Sequence, residues 1–288
     1  LDSGTSKVHS VLKDNAGNLW IAIYQKGVMM IPAQPNSFKY IGYKSINKNI
    51  IGSNCITSLC RDHEGILWIG TDNDGIYGIT TELKQKVHYA PHDSPSSVPS
   101  TVFGLYEDSE HNLWFGSYTN GLGRLDKKTG QCSYLQNLTD KNGNRIQRVY
   151  DLVEDQDKRL WIATMGAGLF YYDLKTGQSV YDPKFNAATE KYKWISCLLY
   201  AGDNHLYVGT YDGIRCIDLS TDDFKTEEIL SRHIIHSLYE DPQGNIWIGS
   251  SDGLAEWNPQ TRQLKTYTTA HGLSSNAVYA IKLSLIHI

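Results

Sequence analysis

The chain has 288 residues, with 27 Lys and Arg against 31 Asp and Glu and a formal net charge of −4. This near balance, without any cluster of basic residues, argues against a nucleic-acid partner, because binding to a duplex needs a basic face. The sequence contains no run of 18 apolar residues of the kind that spans a membrane as a helix.

The chain begins at Leu1 rather than Met, and we expect that it was cut from a longer protein. Free cysteine behaves as a small apolar residue, so we expect the cysteines in strands and without disulfides. They occur without the C-x-x-C spacing of a redox or metal site, at Cys55, Cys60, Cys132, Cys197 and Cys216.

A five-residue segment with a central aromatic residue recurs six times. The steps between the aromatic residues are 48, 46, 47, 46 and 40 residues. A regular period of this size indicates a repeat architecture, in which each unit packs against the next. The aromatic residues are Trp20, Trp68, Trp114, Trp161, Tyr207 and Trp247.

Each repeat predicts four short antiparallel strands, A to D. A turn of the type Asp-x-x-Gly-Asn joins strand A to strand B, and strand B carries the aromatic residue. The Asp of this turn, six residues before the aromatic residue, accepts backbone N–H bonds in five copies, whereas the fifth copy has Ala201. Strand A is predicted at Val8–Lys13, Ile56–Arg61, Val102–Glu107, Val149–Glu154, Ile195–Tyr200 and Ile235–Glu240.

These strands predict an all-β fold, a β-propeller of four-stranded antiparallel blades with six repeats and a partial seventh. Radial stacking buries both faces of each sheet, which a single unit cannot do. The third residue of strand A is small in every copy except the fourth, which has Asp151. The innermost strands of a propeller converge near its axis, where large side chains would clash. A two-sheet sandwich is the alternative fold, but it would not give so regular a period.

The propeller is expected to occupy residues 1–282 as a fragment of a seven-bladed or tandem propeller. The final residues, 283–288, match the translation of a common sequencing adapter, and we expect them to be an artefact. The blades are placed at roughly 8–53, 54–100, 101–147, 148–193, 194–233 and 234–276, followed by a stub at 277–282. The repeated Trp residues are expected to form the core between blades.

The combined pattern resembles the two-component regulator propeller repeat, and is clearest in Asp241–Ser250 and Gly272–Val278. The resemblance covers residues 8–282. Such repeats usually form the periplasmic sensor region of hybrid histidine kinases tied to polysaccharide utilisation. The resemblance therefore implies a periplasmic sensor that binds an oligosaccharide or other small ligand and signals to the remainder of a kinase chain, with a dimeric parent receptor as a further option.

No catalytic constellation is visible, since neither a His-Glu-x-x-His nor a Gly-x-Ser-x-Gly pattern occurs. Asp72–Gly75 looks like a calcium loop, but the glutamate that would complete it is missing, so we interpret it as a turn. We therefore expect no catalytic residue, no metal site and no cofactor, and we expect this fragment not to be an enzyme.

Ligand-binding residues are expected on one rim of the propeller, where the B–C turns and the D–A connections emerge together. Variable residues on a rigid scaffold commonly carry binding, and aromatic rings stack on the C–H faces of sugars. His233 and Lys193 are nearby polar options. The predicted ligand-binding residues are Tyr24, Tyr118, Arg148, Trp194 and Tyr211.

Two other functions remain open at this point. Streptogramin-lyase-like propellers share this kind of repeat, but such an enzyme needs a histidine and a metal-binding acid within reach on one rim. The histidines nearest to one another are His233, His236 and His271, and we expect His236 to lie inside strand A. The other alternative is a non-catalytic platform for protein interactions.

Overall fold

The strands of this protein form separate antiparallel sheets, which a computed structural model describes for ten segments of the chain. The predicted ligand residue Tyr24 and the proposed adapter segment 283–288 lie outside them. The described residues are 8–15, 19–23, 27–31, 33, 51–53, 55–80, 85–140, 142–181, 193–221 and 223–282.

The chain divides into two compact units, residues 1–49 and residues 50–288. The first unit contains a three-stranded antiparallel sheet in the order β1-β2-β3. Its strands are β1 (Val8–Lys13), β2 (Leu19–Ile23) and β3 (Gly27–Ile31).

The second unit contains five four-stranded antiparallel sheets, and the strands of each sheet follow one another in chain order. These sheets are named blades 2 to 6 after their repeats. Blade 2 contains β4 (Ile56–Arg61), β5 (Leu67–Thr71), β6 (Ile76–Ile79) and β7 (Gln85–Tyr89). Blade 3 contains β8 (Val102–Glu107), β9 (Leu113–Ser117), β10 (Leu122–Leu125) and β11 (Cys132–Tyr134). Blade 4 contains β12 (Val149–Glu154), β13 (Arg159–Thr164), β14 (Leu169–Asp173) and β15 (Gln178–Val180).

The last two blades follow the same plan, and a short 3₁₀ turn comes after them. Blade 5 contains β16 (Ile195–Ala201), β17 (His205–Thr210), β18 (Gly213–Asp218) and β19 (Thr226–Ser231). Blade 6 contains β20 (Ile235–Glu240), β21 (Ile246–Ser250), β22 (Gly253–Asn258) and β23 (Gln263–Tyr267), and the 3₁₀ turn is Thr269–His271. None of the described residues forms a helix long and apolar enough to cross a membrane.

The predicted all-β propeller is confirmed. Strand A has the predicted bounds in five of the six copies, and in the fifth it extends by one residue to Ala201. In the second unit each strand A contacts the strand A of the next blade, in the order β4, β8, β12, β16, β20. This succession of innermost strands is the arrangement of propeller blades around an axis.

The repeated aromatic residue is a wedge between neighbouring blades. Trp68 packs with residues of blade 3, Trp114 with blade 4, and Trp161 with Ile195 and Leu206 of blade 5. Trp161 is fully buried. The expectation that these indoles form the core between blades therefore holds for Trp68, Trp114 and Trp161.

The turn Asp has a second partner that the sequence did not reveal. Its carboxylate accepts backbone N–H bonds in the A–B turn, as predicted; in blade 4 these come from Asp157 and Arg159 at 2.9 and 3.0 Å. The same carboxylate accepts the indole N–H of the Trp six residues later. The bond from Trp Nε1 to Asp Oδ2 is 2.8 Å in blade 2, 2.7 Å in blades 3 and 4, and 2.9 Å in blade 6.

The fifth copy explains why the two residues belong together. It lacks both, since Ala201 stands for the Asp and Tyr207 for the Trp. Tyr207 fills the wedge position and packs against Ile235 and Ile246 of blade 6. An indole N–H buried without an acceptor, or a buried carboxylate without its donor, would cost free energy, so losing both is the less damaging change.

The small third residue of strand A is explained by crowding between blades. Ser58 pairs with Gly70 of β5. A Cβ on Gly70 would lie 2.4 Å from Ser58 Oγ and 3.2 Å from the carbonyl oxygen of Val102 in blade 3. The same pairing joins Cys197 with Gly209. A side chain on either glycine would therefore press against strand A of its own blade and against the next blade.

Residues 277–282, the predicted stub of a seventh blade, form no strand. Val278 nevertheless donates its N–H to the carbonyl oxygen of Ser250 at 2.9 Å. In the other repeats strand A pairs with the strand B that follows it in the chain. Here the residues after Lys282, at 283–288, lie outside the described part of the chain.

The A–B turns also connect neighbouring blades through a glutamate. In blade 3 the N–H after the turn Asp donates to the Glu that ends the next strand A, and this bond from Ser109 to Glu154 is 2.7 Å. In blade 5 Gly202, which follows Ala201 at the position of the missing Asp, makes the same bond to Glu240 at 3.2 Å. These two turns are thereby fastened to the following blade.

The wedge position predicts a large loss of stability on truncation. Trp161→Ala should lower the free energy of unfolding by about 3–5 kcal/mol, because it leaves a cavity between blades 4 and 5. Denaturant unfolding measures this. Trp194→Ala, at a half-exposed Trp outside the repeat, is the control and should cost much less. Equal effects of the two substitutions would contradict the wedge.

The bond between Asp155 and Trp161 predicts energetic coupling. Asp155→Ala leaves the indole N–H buried without an acceptor, and Trp161→Phe removes the donor. Once either partner is gone, removing the other should cost less, so the double variant should be about 1–3 kcal/mol more stable than the sum of the single losses implies. A double-mutant cycle by denaturant unfolding measures the coupling, and additive losses would show that the bond contributes nothing.

Candidate functional site

The predicted rim exists, because B–C turns and D–A connections meet along one edge of the blades. Met165, in the B–C turn of blade 4, forms a β-bridge with Trp194 in the connection to blade 5. Tyr211, in the B–C turn of blade 5, donates its N–H to the carbonyl oxygen of Trp194 at 3.1 Å. Residues from distant parts of the chain are thereby placed side by side.

Trp194 and Tyr211 form one exposed aromatic pair on this rim. Their rings are stacked, with centroids 6.0 Å apart and an angle of 29° between the planes. Trp194 is 40% exposed and Tyr211 43%, so their faces can receive a ligand. A Cβ on Gly166 would lie 3.7 Å from the Trp194 ring, and this glycine has a φ of +97°. The blade 4 turn therefore runs closely past the indole.

Tyr118 and Arg148 form a second pair, between blades 3 and 4. The guanidinium carbon of Arg148 lies 4.9 Å from the centroid of the Tyr118 ring, which is a cation–π distance. Tyr118 is 41% exposed. Its ring meets Phe103 edge-on at 6.0 Å, and Phe103 in turn lies 4.8 Å from Tyr150. Four of the five predicted residues thus form two pairs, and the second pair continues into Phe103 and Tyr150, which were not predicted.

Below the rim lies an axial cavity of about 910 Å³, lined mainly by strands A of blades 2 to 6. Tyr211 reaches from the rim into its wall, next to Tyr150 and Phe103. The cavity therefore continues the aromatic surface inward. Its polar side chains are those of Thr57, Ser58, Tyr150, Asp151, Ser196, Tyr211, His236, Ser237 and Tyr279.

Asp151, the exception to the small-residue rule, is the carboxylate of this wall. Its Oδ2 accepts the N–H of Leu198 in blade 5 at 2.8 Å, and its Oδ1 accepts the N–H of Leu152 at 2.9 Å. Burial raises the pKa of Asp151 to about 6, although these two hydrogen bonds act in the opposite direction. This departure from the repeat was the one sequence signal for a polar group in the cavity.

The histidines of blade 6 are divided between cavity and rim. His236 lies within β20, as predicted, and its ring faces Tyr279 at 4.6 Å. Burial lowers the pKa of His236, which favours the neutral ring. His233 instead pairs with Asp252 on the rim, with 2.9 Å between Nδ1 and Oδ2. The other polar option, Lys193, accepts the N–H of Gly166 through its backbone carbonyl at 2.7 Å.

A family model described as "two component regulator propeller" matches four parts of the chain, residues 50–73, 96–119, 139–166 and 229–252. The matches include the Trp of blades 2, 3, 4 and 6 and the strand A before each. Among proteins of curated function, no significant match was found.

Solved propeller structures are similar over most of the chain. One is the extracellular domain of a protein named as a one-component system from B. thetaiotaomicron, with 22% identity and a TM-score of 0.67 over 90% of this chain and 36% of that one. Another is the extracellular domain of a protein named as a hybrid two-component system from the same organism, with 19% identity and a TM-score of 0.52 over 96% of this chain and 42% of that one.

A streptogramin B lyase is also similar, with 16% identity and a TM-score of 0.55 over 92% of this chain and 81% of that one. At these identities the likeness concerns the fold. The chain spans less than half of the length of the two extracellular domains that it matches. Four segments of the chain accordingly match the two-component regulator propeller repeat, and each of them contains one of the Asp–Trp pairs described above.

Proposed function

We propose that this chain is the extracytoplasmic ligand-sensing propeller of a two-component regulator. In this proposal it binds an oligosaccharide and passes the signal to a histidine kinase outside the chain, without catalysing a reaction. The family repeats support a sensor-like domain. The names of the similar extracellular domains support the extracytoplasmic location.

The observation that carries the ligand class is the aromatic surface that runs from the rim into the cavity. Trp194 and Tyr211 offer exposed ring faces, and Tyr150 and Phe103 extend this surface between blades. Sugar rings present apolar C–H faces together with hydroxyl groups at their edges. A surface of rings bordered by Arg148 and Asp151 fits both parts of such a ligand, since small-molecule sites combine apolar walls with a few polar groups.

Asp151 gives the site a means of sensing, because it joins two blades. It belongs to strand A of blade 4, and its carboxylate holds the Leu198 N–H of blade 5. A hydroxyl donated by a ligand would share the same carboxylate. The ligand would then have different affinities for different arrangements of these blades, which is the physical condition for shifting a receptor between states.

Two other functions give different outcomes in the same experiments. A protein-interaction platform would bind a partner chain but none of the glycans. A lyase-like enzyme would show metal-dependent turnover, and a histidine contacts an acid on the rim at His233 with Asp252 and at His88 with Asp74. Calorimetry with plant and host glycans, combined with a turnover assay, separates the three.

The rim pair predicts a specific loss of glycan binding. Trp194→Ala and Tyr211→Ala should each weaken the affinity for the bound oligosaccharide about tenfold or more, because each removes a stacking face. Isothermal titration calorimetry measures the effect. Leu264→Ala is the control, since Leu264 is an exposed apolar residue on the outer strand β23. Unchanged affinity in both rim variants would place the ligand elsewhere.

The raised pKa of Asp151 predicts that its contribution to the free energy of unfolding depends on pH. Between about pH 4 and pH 6 the unfolded chain has lost this proton, whereas the folded protein still holds it, because burial raises the folded pKa from 3.8 to about 6. The unfolded state then binds fewer protons, so this group makes the folded state less stable as the pH rises.

Wild-type protein should therefore lose stability relative to Asp151→Asn from pH 4 to pH 6, by at most about 3 kcal/mol, and the difference should be constant above pH 6. Urea unfolding of both proteins between pH 4 and pH 8 measures this. A difference that is independent of pH would show that Asp151 is solvated like an ordinary surface carboxylate.

A further inference from the structure

The A–B turns of blades 2 and 3 bring two histidines together at the end of the blades opposite the rim. His63 follows the turn Asp of blade 2, and His111 lies in the corresponding turn of blade 3. The two rings stack with their centroids 3.7 Å apart and 23° between their planes. Both residues are exposed.

Glu107 lies beside this pair. Its Oε2 accepts the N–H of His63 at 2.6 Å, and its Oε1 is 2.8 Å from His63 Nδ1. One ring nitrogen of each histidine and one carboxylate oxygen of Glu107 lie within 4.8 Å of one another. No other group of three such side chains comes this close among the residues that the structure describes.

The fold does not require imidazoles at these positions. The same connection between blades is made by Ser109 with Glu154 and by Gly202 with Glu240, without a histidine. His111 has a φ of +66°, at the turn position that Gly65, Lys158, Asn204 and Gly244 occupy with positive φ in the other blades of this unit. The turn therefore accepts several residue types there and does not select the imidazole.

We propose that His63, His111 and Glu107 bind a divalent transition-metal ion, with Zn²⁺ as the best match, and that the ion clamps blade 2 to blade 3. Two imidazole nitrogens and one carboxylate oxygen are a common donor set for Zn²⁺ with an open position for water. Two donors each about 2.1 Å from one tetrahedral ion lie about 3.4 Å apart. His63 Nδ1 and Glu107 Oε1 are hydrogen-bonded at 2.8 Å, so this pair has to open by about 0.6 Å to admit the ion.

Metal binding needs a small rotation of the rings, because stacked imidazoles direct their lone pairs in parallel planes rather than to one point. The exposure of both rings leaves room for that rotation. The ion takes the place of the hydrogen between His63 Nδ1 and Glu107, and the neutral ring then carries its proton on Nε2. The ligands come from two blades, so the site exists only when the blades are packed together.

The positive charge of Lys127 lies next to the proposed ligand Glu107 and opposes the binding of a cation there. Its Nζ lies 2.5 Å from Glu107 Oε1 and 3.3 Å from Asp62 Oδ2. The ammonium group therefore competes for the same carboxylate and repels a dication. Lys127→Gln keeps a hydrogen-bond donor but removes the charge, and should tighten metal binding.

The test uses the full chain and Zn²⁺ alone, followed by titration calorimetry, with Co²⁺ absorption as a report on the ligands. His63→Gln and His111→Gln should each weaken Zn²⁺ binding by about tenfold or more, and Glu107→Gln should weaken it as well. His205→Gln is the matched control, because His205 contacts Asp203 without a second histidine. It should leave the affinity unchanged.

Zn²⁺ should also raise the midpoint of thermal unfolding of the wild-type protein but not of His111→Gln, because an ion bound only by the folded state stabilises that state. Lys127→Gln should give a tighter site and a larger rise. Zn²⁺ binding that is absent, or equal in wild type and in both histidine variants, would overturn the proposal, the second result indicating an adventitious ion only.

Discussion

Four of the five blades of the second unit share one hydrogen bond, from the indole N–H of the wedge Trp to the carboxylate of the preceding turn. A Trp between two blades buries more apolar area than any other side chain, but its N–H needs an acceptor in a place that water does not reach. The turn Asp supplies that acceptor and at the same time holds the backbone of its own turn. One carboxylate thereby connects the turn, strand B and the wedge, and blade 5, which lacks the Trp, lacks the Asp as well.

Because the wedge holds the blades, the turns at both ends are free to differ from copy to copy. On the rim this freedom places Trp194 beside Tyr211, and Arg148 over Tyr118. At the opposite end it places two histidines at positions that Ser, Gly or Lys occupy elsewhere. Binding groups on loops above a rigid scaffold are a general arrangement in proteins. The proposed ligand and metal sites both use it.

The sequence predicted the strands well because their signals are local: the Asp turn, the aromatic residue and the Gly recur at fixed spacing. It also singled out Trp194, since this Trp lies outside the repeated position. The inward residues Phe103 and Tyr150 were missed, because alternation along strand A does not tell which side chains face the axis and which face the next blade. The contact of His63 with His111 joins residues 48 positions apart, and depends on how two turns lie across a blade interface.

The candidate groups lie at the seams between blades rather than within them. Asp151 holds the Leu198 N–H across the seam of blades 4 and 5, and Glu107 holds the His63 N–H across the seam of blades 2 and 3. The interior of each blade is fixed by its ladder of backbone bonds, whereas a seam is held by packing and by a few hydrogen bonds of this kind. In the proposed function, a ligand that competes for one of these carboxylates would weaken a hydrogen bond between blades rather than one within a blade. Its affinity would then depend on the arrangement of the blades, which is the condition for biasing that arrangement.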